Sequence, residues 1–102
     1  MNFDKLVRDK IPEKIAKNGE KPITHTAEDK EFEAALASKL HEEVVEFLAK
    51  PSVEETADVL EVLRAICELK GVDLSKLEEV RQKKEKERGG FKKRIILDRT
   101  EK

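Results

Sequence analysis

Two stretches of helical periodicity, separated by a single break, dominate this chain. From Ala27 to Ala49 the apolar residues Phe32, Leu36, Leu40, Val44, Phe47 and Leu48 recur at spacings of three and four, which places them on one helix face. Lys50-Pro51-Ser52 interrupts the pattern. Proline disfavours a helical residue before it, and Ser52 is a good cap with Glu55 at capping-box distance. A second helix then runs to about Lys70 and stops at Gly71. A break this short predicts that the two helices fold back on each other as an antiparallel hairpin.

The flanks are less regular. Pro12 suits the first turn of a short helix ending near Lys17, with Asn18-Gly19 as its stop. Lys21–Thr26 (KPITHT) reads as a short extended piece, and Thr26 as the cap of the first long helix, with Asp29 three positions on. Asp73 is expected to cap a further helix carrying Leu74, Leu77 and Val80, ended by Gly89-Gly90. Phe91–Leu97 (FKKRIIL) has strand character. The expectation is an all-α fold: a helical hairpin, a third helix and short extended termini, in one domain spanning 1–102.

The 102 residues carry 22 basic and 23 acidic side chains, a net charge of -1. That balance speaks against stable nucleic-acid binding, which normally shows a basic excess. No apolar run approaches the ~20 residues of a membrane span. Met1–Lys5 lacks the apolar stretch of a signal peptide, so a cytoplasmic location is expected. Cys67, the single cysteine, excludes an intrachain disulfide and fits the apolar face of its helix. With four Phe and no Trp or Tyr, a lone chain has a thin core, and self-association is expected.

The informative acids are those falling where apolar residues belong. With Phe32 at zero and ~100° per residue, the apolar arc of the first helix covers roughly 0° to 160°, and Glu43 falls inside it at about 20°. Glu46 lies about 40° beyond its edge and Glu42 about 80° beyond. On the second helix, with Val53 at zero, apolar residues fill roughly 120° around to 40°. Asp58, at about 140°, and Glu55, at about 200°, both fall within that sector. In an antiparallel hairpin centred on Lys50-Pro51, Glu43 is level with Asp58 and Glu46 with Glu55. The two levels are ~4.5 Å apart. Four carboxylates thus converge, and neither apolar sector offers a basic residue to neutralise them. Unpaired, they would repel and resist desolvation. A hard divalent cation resolves this, and Mg²⁺, with Mn²⁺ as substitute, is the expected cofactor.

Glu42-Glu43-Val44-Val45-Glu46 followed by Glu55-Thr56-Ala57-Asp58 resembles the EExxE … ExxD signature of the all-α NTP pyrophosphatase (MazG-like) superfamily. Lys5–Pro12 (KLVRDKIP), Ala57–Val62 (ADVLEV) and Glu87–Ile95 (ERGGFKKRI) look like its house-cleaning, or phosphoribosyl-ATP pyrophosphohydrolase-like, branch. The resemblance implies Mg²⁺-dependent hydrolysis of a nucleoside triphosphate to monophosphate and pyrophosphate. It makes Glu43, Glu46, Glu55 and Asp58 metal ligands, and Glu42 or Glu46 the acceptor of a proton from water. It makes Lys5, Arg8, Lys10, Lys92, Lys93 and Arg94 candidates for phosphate binding. The connection from Glu46 to Glu55 is shorter than in most such proteins. Phosphoribosyl-ATP hydrolysis in histidine synthesis and a non-catalytic helical oligomer stand as alternatives. The second helix is apolar over well more than half its circumference, so a homodimer building a four-helix core is the expected minimum, with a tetramer as the larger option.

Overall fold

The computed structural model describes residues 4–102, so Met1–Phe3 of the N-terminal stretch read above lie outside it. Among the described residues the chain is all-helical, with four α-helices and no strand: α1 (Ile11–Lys17), α2 (Asp29–Ala49), α3 (Val53–Lys70) and α4 (Leu74–Arg88). The chain divides into two compact units, one running through Gly71 and the other covering Val72–Lys102.

In the first unit α2 and α3 pack against each other across the Lys50–Ser52 connection. Lys70, in the last turn of α3, bonds Glu33, in the early turns of α2, at 2.7 Å. The start of α3 is fixed by Ser52, whose hydroxyl accepts the Glu55 backbone N–H at 3.1 Å. Its end is fixed by Gly71 at φ 71°, a left-handed conformation that costs glycine nothing. Pro12 falls in the first turn of α1, where a missing N–H is harmless.

The interior is small. Among the described residues, Leu36 and Val62 are the buried apolar ones, and the third buried residue is a carboxylate, Glu43. Phe32, Leu40, Val44 and Phe47 of α2 are half-buried, as are Val59, Ala65, Ile66 and Leu69 of α3. The rest of α3's apolar circumference has no cover: Leu60 and Leu63 are exposed, and Val53 is 87% exposed.

The second unit consists of α4 and the C-terminal tail. Asp73 caps α4, accepting from the Ser75 backbone N–H at 2.9 Å and the Ser75 hydroxyl at 2.8 Å. None of its residues is buried, and Arg81 bridges Glu78 and Glu85 along its surface.

Three local expectations are corrected. Thr26 is not the cap of α2: the helix begins at Asp29 with Glu28 in the cap position, and no side chain bonds the first turn. Phe91–Leu97 is not a strand. Arg94 sits at φ 60° and its N–H bonds the Phe91 carbonyl at 3.1 Å, making a turn where an extended run was expected. A strand pattern needs a neighbour to pair with, and this segment's Phe91, Ile95, Ile96 and Leu97 are exposed. Lys21–Thr26 likewise has no regular structure.

Candidate functional site

The inner faces of α2 and α3 bring three carboxylates together. One oxygen each from Glu43, Glu55 and Asp58 lies within 4.8 Å of the other two. Helical spacing explains the grouping. Glu55 and Asp58 are three residues apart on α3 and share one face. Glu43 projects from α2 beside Leu36, close to the level of Asp58 across the Lys50–Ser52 break.

Glu43 is 7% exposed. Its Oε1 lies 3.4 Å from the Lys39 ammonium, while its Oε2 is buried and has no hydrogen-bond partner. The Oε2 of Glu55 is also buried without a partner. Bare carboxylate oxygens out of water are costly, so these two oxygens are uncompensated among the described residues, and the oxygen set could hold a metal ion. Asp58 is more open and accepts a 2.8 Å bond from Arg8 Nη2. In a full capping box Glu55 would reach back to Ser52; here its carboxylate joins Glu43 and Asp58.

Glu46 is exposed and is not one of the three converging acids. It still feels them. The negative charge of Glu43, then lost hydration, then the charges of Glu55 and Glu42 hold its carboxyl above the usual 4.5, with Lys39 pulling the other way. Glu42 accepts Lys5 Nζ at 3.3 Å and lies 3.7 Å from Lys39 Nζ.

The expectation that no base neutralises these acids is corrected by the same geometry. Lys39, on α2 itself, pairs with Glu42 and Glu43, and its side chain is only 20% exposed. On the helical wheel Lys39 falls about 20° outside the apolar arc, next to Glu43, so it escaped a count confined to that arc. Its i,i+4 spacing to Glu43 was the available signal. Lys5 and Arg8 come from far in sequence, and no periodicity could pair them with Glu42 and Asp58.

The other basic candidates lie within their own units. Lys10 is exposed in the cap position of α1. Lys92, Lys93 and Arg94 are exposed and belong to the second unit. His25 bonds Glu31 at 2.9 Å, on the surface.

No known protein family matches this chain, and no solved structure matches it. A stretch of 44 residues, 43% of the chain, is 52% identical to an uncharacterized protein of Mycolicibacterium smegmatis (strain ATCC 700084 / mc(2)155). The match spans 45% of that protein, less than half its length. None of the helices is long and apolar enough to cross a membrane among the described residues.

Proposed function

We propose that this chain is a Mg²⁺-dependent nucleotide pyrophosphohydrolase of the MazG-like kind, which splits a nucleoside triphosphate into monophosphate and pyrophosphate. The observation that carries the proposal is the buried Glu43, which has an unpartnered Oε2 and brings one carboxylate oxygen together with those of Glu55 and Asp58.

The donor set fits a hard cation. All three converging groups offer carboxylate oxygen, with no sulfur or imidazole, which suits Mg²⁺ or Mn²⁺. Glu43, Glu55 and Asp58 would hold the ion, with Glu46 next to them at the open side. Bound there, a divalent cation supplies charge neutralisation at phosphate oxygens and lowers the pKa of a coordinated water.

The chain's own residues divide the remaining work. Glu46 is the candidate proton acceptor, because it is exposed beside the cluster and, among the described residues, holds no basic partner as Glu42 does. Glu42 is engaged by Lys5 and Lys39 and holds the rim of the site together. Arg8 and Lys5 already stand at the acids, where a polyphosphate would arrive. Lys10, Lys92, Lys93 and Arg94 enter only through the resemblance.

The working form is a homodimer of antiparallel hairpins, or a tetramer built from it. Its support is the exposed apolar residues of α3, Val53, Leu60 and Leu63, together with the exposed Leu48 of α2. A second copy would cover this surface and complete a four-helix core.

Pyrophosphate release from a panel of standard and modified triphosphates, with and without Mg²⁺, tests the reading. Wild type should release pyrophosphate only with Mg²⁺, and Glu55→Gln should lose about a hundredfold or more. Hydrolysis of phosphoribosyl-ATP alone would move the assignment to the histidine pathway. No release from any nucleotide would leave the non-catalytic oligomer.

A further inference from the structure

Arg8 occupies an unusual position for a residue expected to bind phosphate. Its Nη2 lies 2.8 Å from Asp58 Oδ1, on one of the three acids that would hold the cation. The Asp58 side chain is 40% exposed against 10% for Glu43, and the Arg8 side chain is 58% exposed. The pair therefore forms at the mouth of the site, on a segment outside any helix. Lys39 differs: it is mostly buried and belongs to α2, so it stays with Glu42 and Glu43.

The charges define two states. Glu42, Glu43, Glu46, Glu55 and Asp58 carry five negative charges, and Lys5, Arg8 and Lys39 return three. Two negative charges remain, and among the buried acid oxygens Glu43 Oε2 and Glu55 Oε2 have no partner. A divalent cation completes that balance. It also draws on the Asp58 carboxylate whose Oδ1 Arg8 holds, and a divalent cation beside the guanidinium repels it and competes for the same negative charge.

We infer that Arg8 is an exchangeable counter-ion: it neutralises Asp58 while the site lacks a cation, is displaced when the cation takes Asp58, and is then free for a substrate phosphate. The inference rests on the proposed cation site and deepens it by making the order of binding a property of the chain. An anion arriving first meets an Arg8 already paired. One arriving after the cation meets a free guanidinium, whose planar fork matches a phosphate. The exposed pair is weak enough to exchange.

Mn²⁺ titration, with free Mn²⁺ read by electron paramagnetic resonance, tests the competition in the whole protein. Arg8→Gln should bind Mn²⁺ about two- to fivefold more tightly than wild type, the scale of an exposed ion pair removed. Arg64→Gln removes an exposed charge from the polar side of α3 and should change affinity less. In the wild type, Mg²⁺ should move the Arg8 Nε–Hε resonance to its solvent-exposed position, and inorganic pyrophosphate added afterwards should move it again. Arg8→Gln should weaken pyrophosphate binding to the Mg²⁺-loaded protein about tenfold, with Arg8→Lys recovering part of it. An Arg8 resonance unmoved by Mg²⁺, or equal Mn²⁺ affinities in wild type and Arg8→Gln, would overturn the exchange while leaving the cation site standing. Failure of both proteins to bind Mn²⁺ would overturn the cation site as well.

Discussion

At the scale of single residues, the site's energetics rest on three carboxylates whose oxygens lie within 4.8 Å of one another. Glu46 reports this from the flank. Its carboxyl is raised above 4.5, first by Glu43 and next by lost hydration. A raised folded-state pKa means the folded chain binds its proton more tightly than the unfolded chain. The resulting stability is present below the unfolded value and lost as pH climbs through the folded one. In chelator, the Glu46 contribution to the melting temperature should therefore fall as pH rises above the usual 4.5 and through its raised folded value, and Glu46→Gln should remove that contribution in calorimetry. Ser52 is a simpler case. Removing its hydroxyl leaves the Glu55 N–H without its cap, so Ser52→Ala should cost about 1 kcal/mol in denaturant unfolding. Ser52→Asp should retain most of that. The wheel arithmetic found the inward direction of Glu43 because burial follows helical angle, and Glu43 is buried. It missed Lys39 because a long side chain at the edge of an arc can bend back over it.

At the scale of elements, legibility followed the source of each helix's stability. The ends of α3 were readable because Ser52 and Gly71 set them by local chemistry. The start of α2 was not, since a plausible cap at Thr26 was passed over for Glu28, which makes no side-chain cap bond. Phe91–Leu97 misled for a different reason: β-branched and apolar residues signal a strand only where another strand can pair with them. Helix α4 has no buried residue and leans on surface charge. Hydrogen bonds from Arg81 hold Glu78 below its usual 4.5. A depressed carboxyl contributes stability above its unfolded pKa and loses it as pH falls through the folded one. Hydrogen exchange should therefore be faster in α4 than in the α2–α3 pair, and faster still in high salt or as pH falls below the usual carboxylate range through the depressed Glu78 value. Equal protection in all three helices would mean that burial, not ion pairing, sustains α4.

At the scale of the whole molecule, two features support the proposed cation and self-association: buried acid oxygens of Glu43 and Glu55 without partners, and exposed apolar residues on α3. The apolar side of α3 is the basis for the expected self-association. Sedimentation should find a dimer or tetramer at micromolar concentration, and Leu63→Glu should shift it toward monomer, because a charge there cannot be buried against a second copy. A wild-type monomer at high concentration would remove that expectation. The acids are the more consequential feature. Titration calorimetry with Mg²⁺ on wild type and Glu43→Gln tests them most directly. The account predicts saturable binding to wild type and at least about tenfold weaker binding to Glu43→Gln. Indistinguishable isotherms for the two proteins would contradict it.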